Sequence, residues 1–570
     1  MFFYETKPPS GLVSTKVFHG TQKPNNTISL FIRLTLVLGV AAGMVSAPRA
    51  QEKSNAKGVI RGVVRDQRNP LCGILVKAKS EGKNVSTSVF TDEHGEYVFP
   101  PLPAGSYVLS VGTKWQEKVA LDSSPVQKDF AVELGPGFFN QTSGGSFLAV
   151  LPGTATEKKN LVSNCGSCHT IWRLFDRAPS STEEWHNLVR RMGLKKGGEG
   201  SEDPTVAPRV DMSDKNFQFL VKYYSENIRP DRKQRQVVEA MFRPRGEGAK
   251  AVFTEWELPQ EIGGVATAKP DSKGMIWFPA GRIGAVARLD PRTGEVKTWP
   301  APMGEKPEGG EGPFHDIMVD KEDNVWVTGG GLNKIFKLDT KTFQYTVWEI
   351  PKDYGLKPHT GELGPDGNYW VTMQTGKPGK GWVAKLDPRT GKVTGFPTKA
   401  SFPRHYGPEP YGLVVDRNGT VWFTELFGGK LGKIDPKTGE MTEYSTPNPD
   451  AGPRRLGVDS KGNLWFTEYF TGKIAKFDPT TMKFTEYDLG VAGGGFPYSL
   501  RIDKSDQIWF SMNSNNSIGK LDPKTGKITY SLFPVPESNT IDPGFDFAAD
   551  PVALVYGTHR AAVGRVYFRR

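Results

Sequence analysis

Apolar and polar positions alternate with a period of two through residues 57–134, in runs such as GVIRGVVRD, GILVKAKS and STSVFTDEHGEYVFPPLPAGSYVLSV. That period puts every second side chain on one face of a strand, and Gly and Pro punctuate each run, so a small β-sandwich is predicted. The pattern lapses across a linker, 135–154, and then changes period. In SSTEEWHNLVRRMG, Ser181 and Glu184 form a capping pair, and Trp185, Leu188, Val189 and Met192 fall at i, i+3, i+4 and i+7 on one helical face. A second helix is predicted from Ser213 to Ile228, stopping before Pro230. An α-helical domain is therefore expected over 155–242.

From residue 250 the strands return, now repeated. Trp277, Trp326, Trp370, Trp422, Trp465 and Trp509 each lie in a short apolar strand and are 49, 44, 52, 43 and 44 residues apart. An Asp-x-x-Thr turn follows thirteen residues later in five of the six copies. A period near this length with four strand signals per copy predicts a β-propeller over 250–570. The tail ALVYGTHRAAVGRVYF, 553–568, aligns on the sixth copy but runs out of chain before a fourth strand. FTEWELP, 253–259, matches the closing strands MTEYSTP and FTEYDLG. Seven blades are expected, with this N-terminal strand completing the last one, because unpaired sheet edges would otherwise be exposed.

The first 50 residues read differently. Arg33 precedes an apolar run from Leu34 to Val45, followed by small residues suited to cleavage after Ala47. This pattern predicts an export signal and a periplasmic or otherwise exported protein with no stable membrane span once it is removed; an uncleaved anchor is the alternative. The formal net charge is +11, with Lys and Arg scattered through turns, which argues against nucleic acid as a partner. Three cysteines cannot all pair, and a chain of this size is no disulfide scaffold. Cys72 reads as a small buried residue at a strand start.

The other two cysteines form a unit: Cys165, Cys168 and His169 spell C-x-x-C-H. Each thiol can add to one porphyrin vinyl group, the two intervening residues span the distance between vinyls, and the histidine turns its imidazole to the iron. A redox C-x-x-C lacks a βαβ frame here, a zinc site lacks a second ligand pair, and a local disulfide is the remaining alternative. The order C-x-x-C-H, E-W-x-x-x-V-x-R-M, S-D-x-x-x-x-x-L-V-x-Y-Y resembles small class I cytochromes c over residues 155–232. The resemblance implies one covalent haem c, with His169 as proximal ligand, and a redox partner protein. For the distal position Met192 is the first candidate; Met212 and His186 are alternatives.

Two further resemblances concern the β segments. TDEHGEYVFPPLPAGSYVLSV resembles the carboxypeptidase regulatory-like family, which implies a spacer or adhesive module without catalytic residues. The repeats, with PYGLVVDRNGTVWFTE the clearest, resemble the virginiamycin B lyase family. That family opens a cyclic depsipeptide by elimination, with Mg²⁺ and a His–Glu arrangement at one mouth of the propeller. Eleven residues before the blade tryptophans this chain has Ala266, His315, His359, Tyr411, Arg454 and Tyr498; three residues after them it has Ala280, Gly329, Met373, Glu425, Glu468 and Met512. No blade carries both a histidine and a glutamate, so the resemblance implies lyase chemistry lost or altered, with Mg²⁺ expected only if activity is kept. His315, His359, Glu425 and Glu468 are the weak catalytic candidates. With Tyr411, Arg454 and Tyr498 they are expected to line a polar funnel for a small-molecule or polymer ligand. Three functions follow: an exported c-type cytochrome with a binding propeller, a lyase with an altered site, or an extracellular binding protein.

Overall fold

The computed structural model describes residues 57–570 except position 68, parts of 143–160, and 162–177, 195–213, 229–240, 305–312, 376–379, 400–408 and 492–495. Positions 514, 536–537, 539, 541 and 570 are also excepted. The leader region, Cys165, Cys168, His169 and Met212 lie outside the described residues, as does the side chain of Met192.

The N-terminal segment is a β-sandwich. One layer pairs Trp115–Leu121, Gly105–Val111, Leu75–Ser80 and Val85–Phe90 in that spatial order; the other is built around Ile60–Asp66. Inward positions of the two layers, among them Ile60, Val64, Val76, Val89, Tyr97 and Leu109, form one core. Period-two alternation in sequence becomes two-sided packing here. Cys72 is partly rather than fully buried, its thiol pKa raised by desolvation.

Six four-stranded antiparallel sheets follow along the chain in a propeller-like arrangement. The seventh set comprises Gly544–Asp546, Ala553–Thr558, Ala562–Phe568 and, from the other end of the segment, Ala251–Glu257. Ala251 pairs with Phe568 and Glu257 with Ala562, the ring closure expected from FTEWELP. What sequence did not suggest is the other edge of that closing strand. Val252–Trp256 pairs antiparallel with Val85–Val89 of the sandwich, so one eight-stranded sheet runs from the last blade into the N-terminal layer. The outer edge of the last blade is thereby covered instead of being left as a template for association.

The blade tryptophans have a repeated role. The indole N–H donates to an Asp six residues earlier in Trp277, Trp326, Trp422, Trp465 and Trp509, at 2.9–3.3 Å. The same carboxylate accepts backbone N–H groups of its own turn, so one Asp both shapes the turn and satisfies a buried donor. Gly364 stands at that position before Trp370, whose indole nitrogen has no partner among the described residues.

The helical segment departs from expectation. Among the described residues it contributes two α-helices, α1 (Thr182–Leu194) and α2 (Asp214–Asn227). The capping pair forms as read: the Glu184 N–H donates to Ser181 Oγ at 3.1 Å, and Glu184 Oε2 accepts from the Ser180 and Ser181 N–H groups. Trp185 and Val189 are buried and Trp185 stacks on Tyr224 at 5.0 Å. These helices do not enclose a separate core. Their apolar faces join a cluster that includes Tyr411, Leu426, Tyr469, Phe496 and Tyr498 of the propeller. Among the described residues no clear cytochrome-like domain over 155–242 is seen: the two helices pack on the propeller, and the C-x-x-C-H motif lies outside the described residues. The physical reason is area: two amphipathic helices have too little apolar surface to bury against each other alone.

Candidate functional site

A threonine lattice sets the end of the propeller on which the helices lie. Two residues after the blade tryptophan, Thr328, Thr372, Thr424 and Thr467 each donate a hydroxyl to a carbonyl of the next blade, at His359, Tyr411, Arg454 and Tyr498. Each hydroxyl also accepts the N–H of Asp316, Thr360, Gly412 or Arg455 in its own blade. Every such hydroxyl holds the start of two inner strands in register, and so places the residues eleven before each tryptophan at one height around the axis.

Those residues converge as expected, but they pack on one another instead of lining open space. The rings of His315 and His359 lie 3.8 Å apart, and His359 lies 4.0 Å from the Tyr411 ring. Tyr411 and Tyr498 share a 2.5 Å hydroxyl–hydroxyl bond, and Arg454 Nη2 donates to the Tyr411 hydroxyl at 2.7 Å. The Arg454 guanidinium carbon sits 3.7 Å from the Tyr498 ring centre and 4.1 Å from that of Tyr469, an aromatic box for a buried cation. His359 is 1% exposed, Tyr411 2%, Arg454 and Tyr498 5%. The expected funnel of Tyr411, Arg454 and Tyr498 is therefore a plug, and α1 and α2 roof it. Adjacent large side chains fill an axis this narrow, and the apolar faces of the helices need a surface to cover.

Electrostatics follow from that closure. Burial, with Arg455 beside it, pushes the His315 imidazole down to about 3; burial, His315 and the two arginines hold His359 well below the usual range. Both rings are neutral at physiological pH. His359 Nδ1 lies 2.9 Å from Thr360 Oγ1 and 3.2 Å from the Tyr411 carbonyl, while Nε2 has no partner among the described residues.

Glu425 and Glu468 do not join this group. Each is fully buried at the end of its strand and faces its own blade, beside the ion pairs Lys430–Glu443 and Lys473–Glu486. Burial first, and then Glu443, lifts Glu425 to about 8. Burial lifts Glu468 to about 7, although Thr471 donates to it at 2.8 Å. Among the described residues no three His, Cys, Asp or Glu side chains converge in a group able to hold a metal ion. The residues do not fit a Mg²⁺-assisted elimination site.

Of the distal-ligand candidates, His186 is described: it is half-buried and meets the Phe217 ring edge-to-face at 5.0 Å.

Sequence reading missed a second set of residues, further along the same inner strands. Lys269, Glu362 and Arg501 each lie eight residues before a blade tryptophan and pair with it across the ladder. With Asp316, Arg455 and Asp542 they surround a cavity of about 400 Å³ on the axis, below the plug. The signal was present in the repeat: three of six residues at that register are charged where an inner strand is otherwise apolar.

Residues 376–568 match the virginiamycin B lyase family and residues 59–133 match the carboxypeptidase regulatory-like domain. Both matches fall outside the helical segment. The chain is similar in fold to virginiamycin B lyase from Staphylococcus aureus, at 20% identity and TM-score 0.48, over 56% of this chain and 100% of that one. A streptogramin B lyase structure has 23% identity and TM-score 0.48, over 56% and 98%. The extracellular domain of a one-component system from B. thetaiotaomicron has 19% identity and TM-score 0.40, over 54% and 40%. No curated protein matches the chain. The family matches support a carboxypeptidase regulatory-like sandwich and a virginiamycin B lyase-like propeller. Among the described residues no helix is long and apolar enough to cross a membrane.

Proposed function

We propose that this chain is an exported binding protein built on a lyase-like propeller that has lost lyase chemistry, and that its helical segment carries one covalent haem c. The observation that carries the first part is the plug: the residues at the family's catalytic register are packed into each other and roofed by α1 and α2. His359, Tyr411, Arg454 and Tyr498 are buried there with His315 partly buried against His359, and the acids Glu425 and Glu468 face away into their own blades. Export rests on the apolar run Leu34–Val45 and the small residues after it.

The haem reading is favoured by where the C-x-x-C-H motif falls. Leu161 and Ala178, on either side of it in sequence, both belong to the apolar cluster against the propeller. Cys165 follows Leu161 by four residues, a reach of at most about 14 Å even when extended. Cys165 and Cys168 would hold the porphyrin and His169 its iron, with Met192, Met212 or His186 opposite. Such a haem would supply one-electron transfer to a redox partner protein.

One preparation tests both parts. Full-length protein made with haem-maturation machinery is expected to show a c-type pyridine haemochrome spectrum that C165S/C168S abolishes, and no Mg²⁺-dependent opening of a streptogramin B antibiotic. A colourless product whose mass shows only a Cys165–Cys168 disulfide overturns the haem; turnover of the antibiotic overturns the loss of lyase chemistry. Optical and magnetic-resonance spectra of the oxidised and reduced forms separate His/Met from His/His ligation.

A further inference from the structure

The plug closes one end of the propeller axis, and the space lies on its other side. Asp316, Thr360 and Arg455, each one residue after a plug position, and residues further along the inner strands face a cavity of about 400 Å³. It opens to solvent where Glu362 and Arg501 are half-exposed. Its walls include the aliphatic Leu413, Val414, Leu456, Val458 and Ile502, and its charged groups are spread around the ring at the inner strands of every blade but the fourth.

Three cations and three carboxyls meet there, and they are unequally matched. Asp542 takes both Lys269 and Arg501, each at 2.5 Å, and Lys269 also donates to the Pro543 carbonyl. Arg455, whose side chain is 2% exposed, spends only Nη1, on Thr360 Oγ1 at 2.7 Å and Asp316 at 3.5 Å. Its Nε and Nη2 have no partner among the described residues. These two groups are the side-on edge of a guanidinium, the pair that meets both oxygens of a carboxylate. A buried donor pair left unmatched costs more than a hydrogen bond gains, so the edge calls for an acceptor.

We propose that this open cavity binds a small organic carboxylate with an apolar body, its carboxylate on the Nε/Nη2 edge of Arg455 and its hydrocarbon against Leu456, Val458 and Ile502. The inference deepens the binding reading above and is independent of the haem. Charge supports it. Burial lifts the Glu362 carboxyl to about 7, with Arg501 and Lys269 opposing and Asp542 assisting, and burial brings the Lys269 ammonium down to about 8. Asp316, raised by burial, is the other carboxyl facing this space, and the Tyr369 hydroxyl, raised by burial, lies in the blade core behind it. As pH falls from 8.5 to 6, Glu362 loses its negative charge and Lys269 gains its positive one, and both changes favour an anion.

Calorimetric titration of the full chain with sodium benzoate, with benzamide and inorganic phosphate as controls, tests this. Expected are one benzoate site per chain, no benzamide binding, phosphate weaker than benzoate, and affinity that rises as pH falls from 8.5 to 6. R455M is expected to lose about tenfold or more. E362Q, at a half-exposed position, is expected to bind benzoate more tightly than wild type at pH 8.5 and serves as the deciding variant if R455M does not fold. Absence of benzoate binding, equal binding of benzamide, or an E362Q affinity no higher than wild type overturns the proposal. The antibiotic assay reads the roofed end and this titration reads the open end, so each fails without the other.

Discussion

Phe253→Ala is expected to cost about 3–5 kcal/mol, the range for truncating a fully buried phenylalanine, and to lower the denaturant midpoint of sandwich and propeller together. Phe253 is 0% exposed and lies in the strand that completes the last blade. Its ring meets Phe90 of the sandwich edge-on at 6.2 Å, Phe533 beyond the sixth blade at 6.0 Å and Tyr556 of the seventh at 6.2 Å. One side chain thus joins three parts of the chain that are far apart in sequence. Its backbone pairs with Val566 on one side and Ser88 on the other. Urea unfolding followed by far-ultraviolet dichroism and tryptophan fluorescence reads the loss. A change below about 1 kcal/mol, or a sandwich that unfolds at an unaltered midpoint, would show that the shared sheet does not couple the two parts.

Asp542→Ala is expected to cost a similar amount, about 3–5 kcal/mol, because it strands two cations instead of removing a pair. The Asp542 side chain is 3% exposed and is the common partner of Lys269 and Arg501. Burial alone would raise its carboxyl, but Arg501, Lys269 and Arg455 outweigh burial and hold it well below the usual range. A depressed folded-state pKa contributes stability that is present above the unfolded value, about 3.9, and is lost as pH falls below it. Melting temperatures at pH 7 and pH 3 check this. The gap between wild type and variant is expected to be wide at pH 7 and to narrow at pH 3; a gap independent of pH would mean that packing, not charge, is what Asp542 supplies.

These two residues mark where sequence reading stopped. The closure by FTEWELP was legible because the strand resembles its counterparts in other blades, and the pairing of Ala251 with Phe568 follows it. That the same strand has a second edge facing Val85–Val89 was not legible, since a pairing between two unlike segments leaves no repeat to notice. Asp542 lies outside the tryptophan grammar, in a blade whose tryptophan is replaced by Leu554. Lys269, Glu362 and Arg501 are within that grammar, eight residues before the tryptophan, but only the closed ring brings charges from separate blades to one cavity.

The funnel shows the converse. His315, His359, Tyr411, Arg454 and Tyr498 were correctly brought to one height by periodicity, because a threonine two residues after each tryptophan, or its equivalent, repeats the same inter-blade bond. Whether side chains at one height leave a hole or fill it depends on their volumes around a closed ring and on what covers them. Neither is local.

By itself the sequence determined the alternation that makes the sandwich, the period that makes the blades and the capping pair of α1. Each of these is set by residues a few positions apart, acting through backbone geometry and hydrogen bonds within one turn or hairpin. Only the tertiary structure decided that the helices lie on the propeller, that the family's catalytic register is plugged, that the axis opens at the other end and that sandwich and last blade share a sheet. Those outcomes depend on burying apolar area and matching buried charges between segments up to several hundred residues apart, quantities that take a value only once the ring has closed.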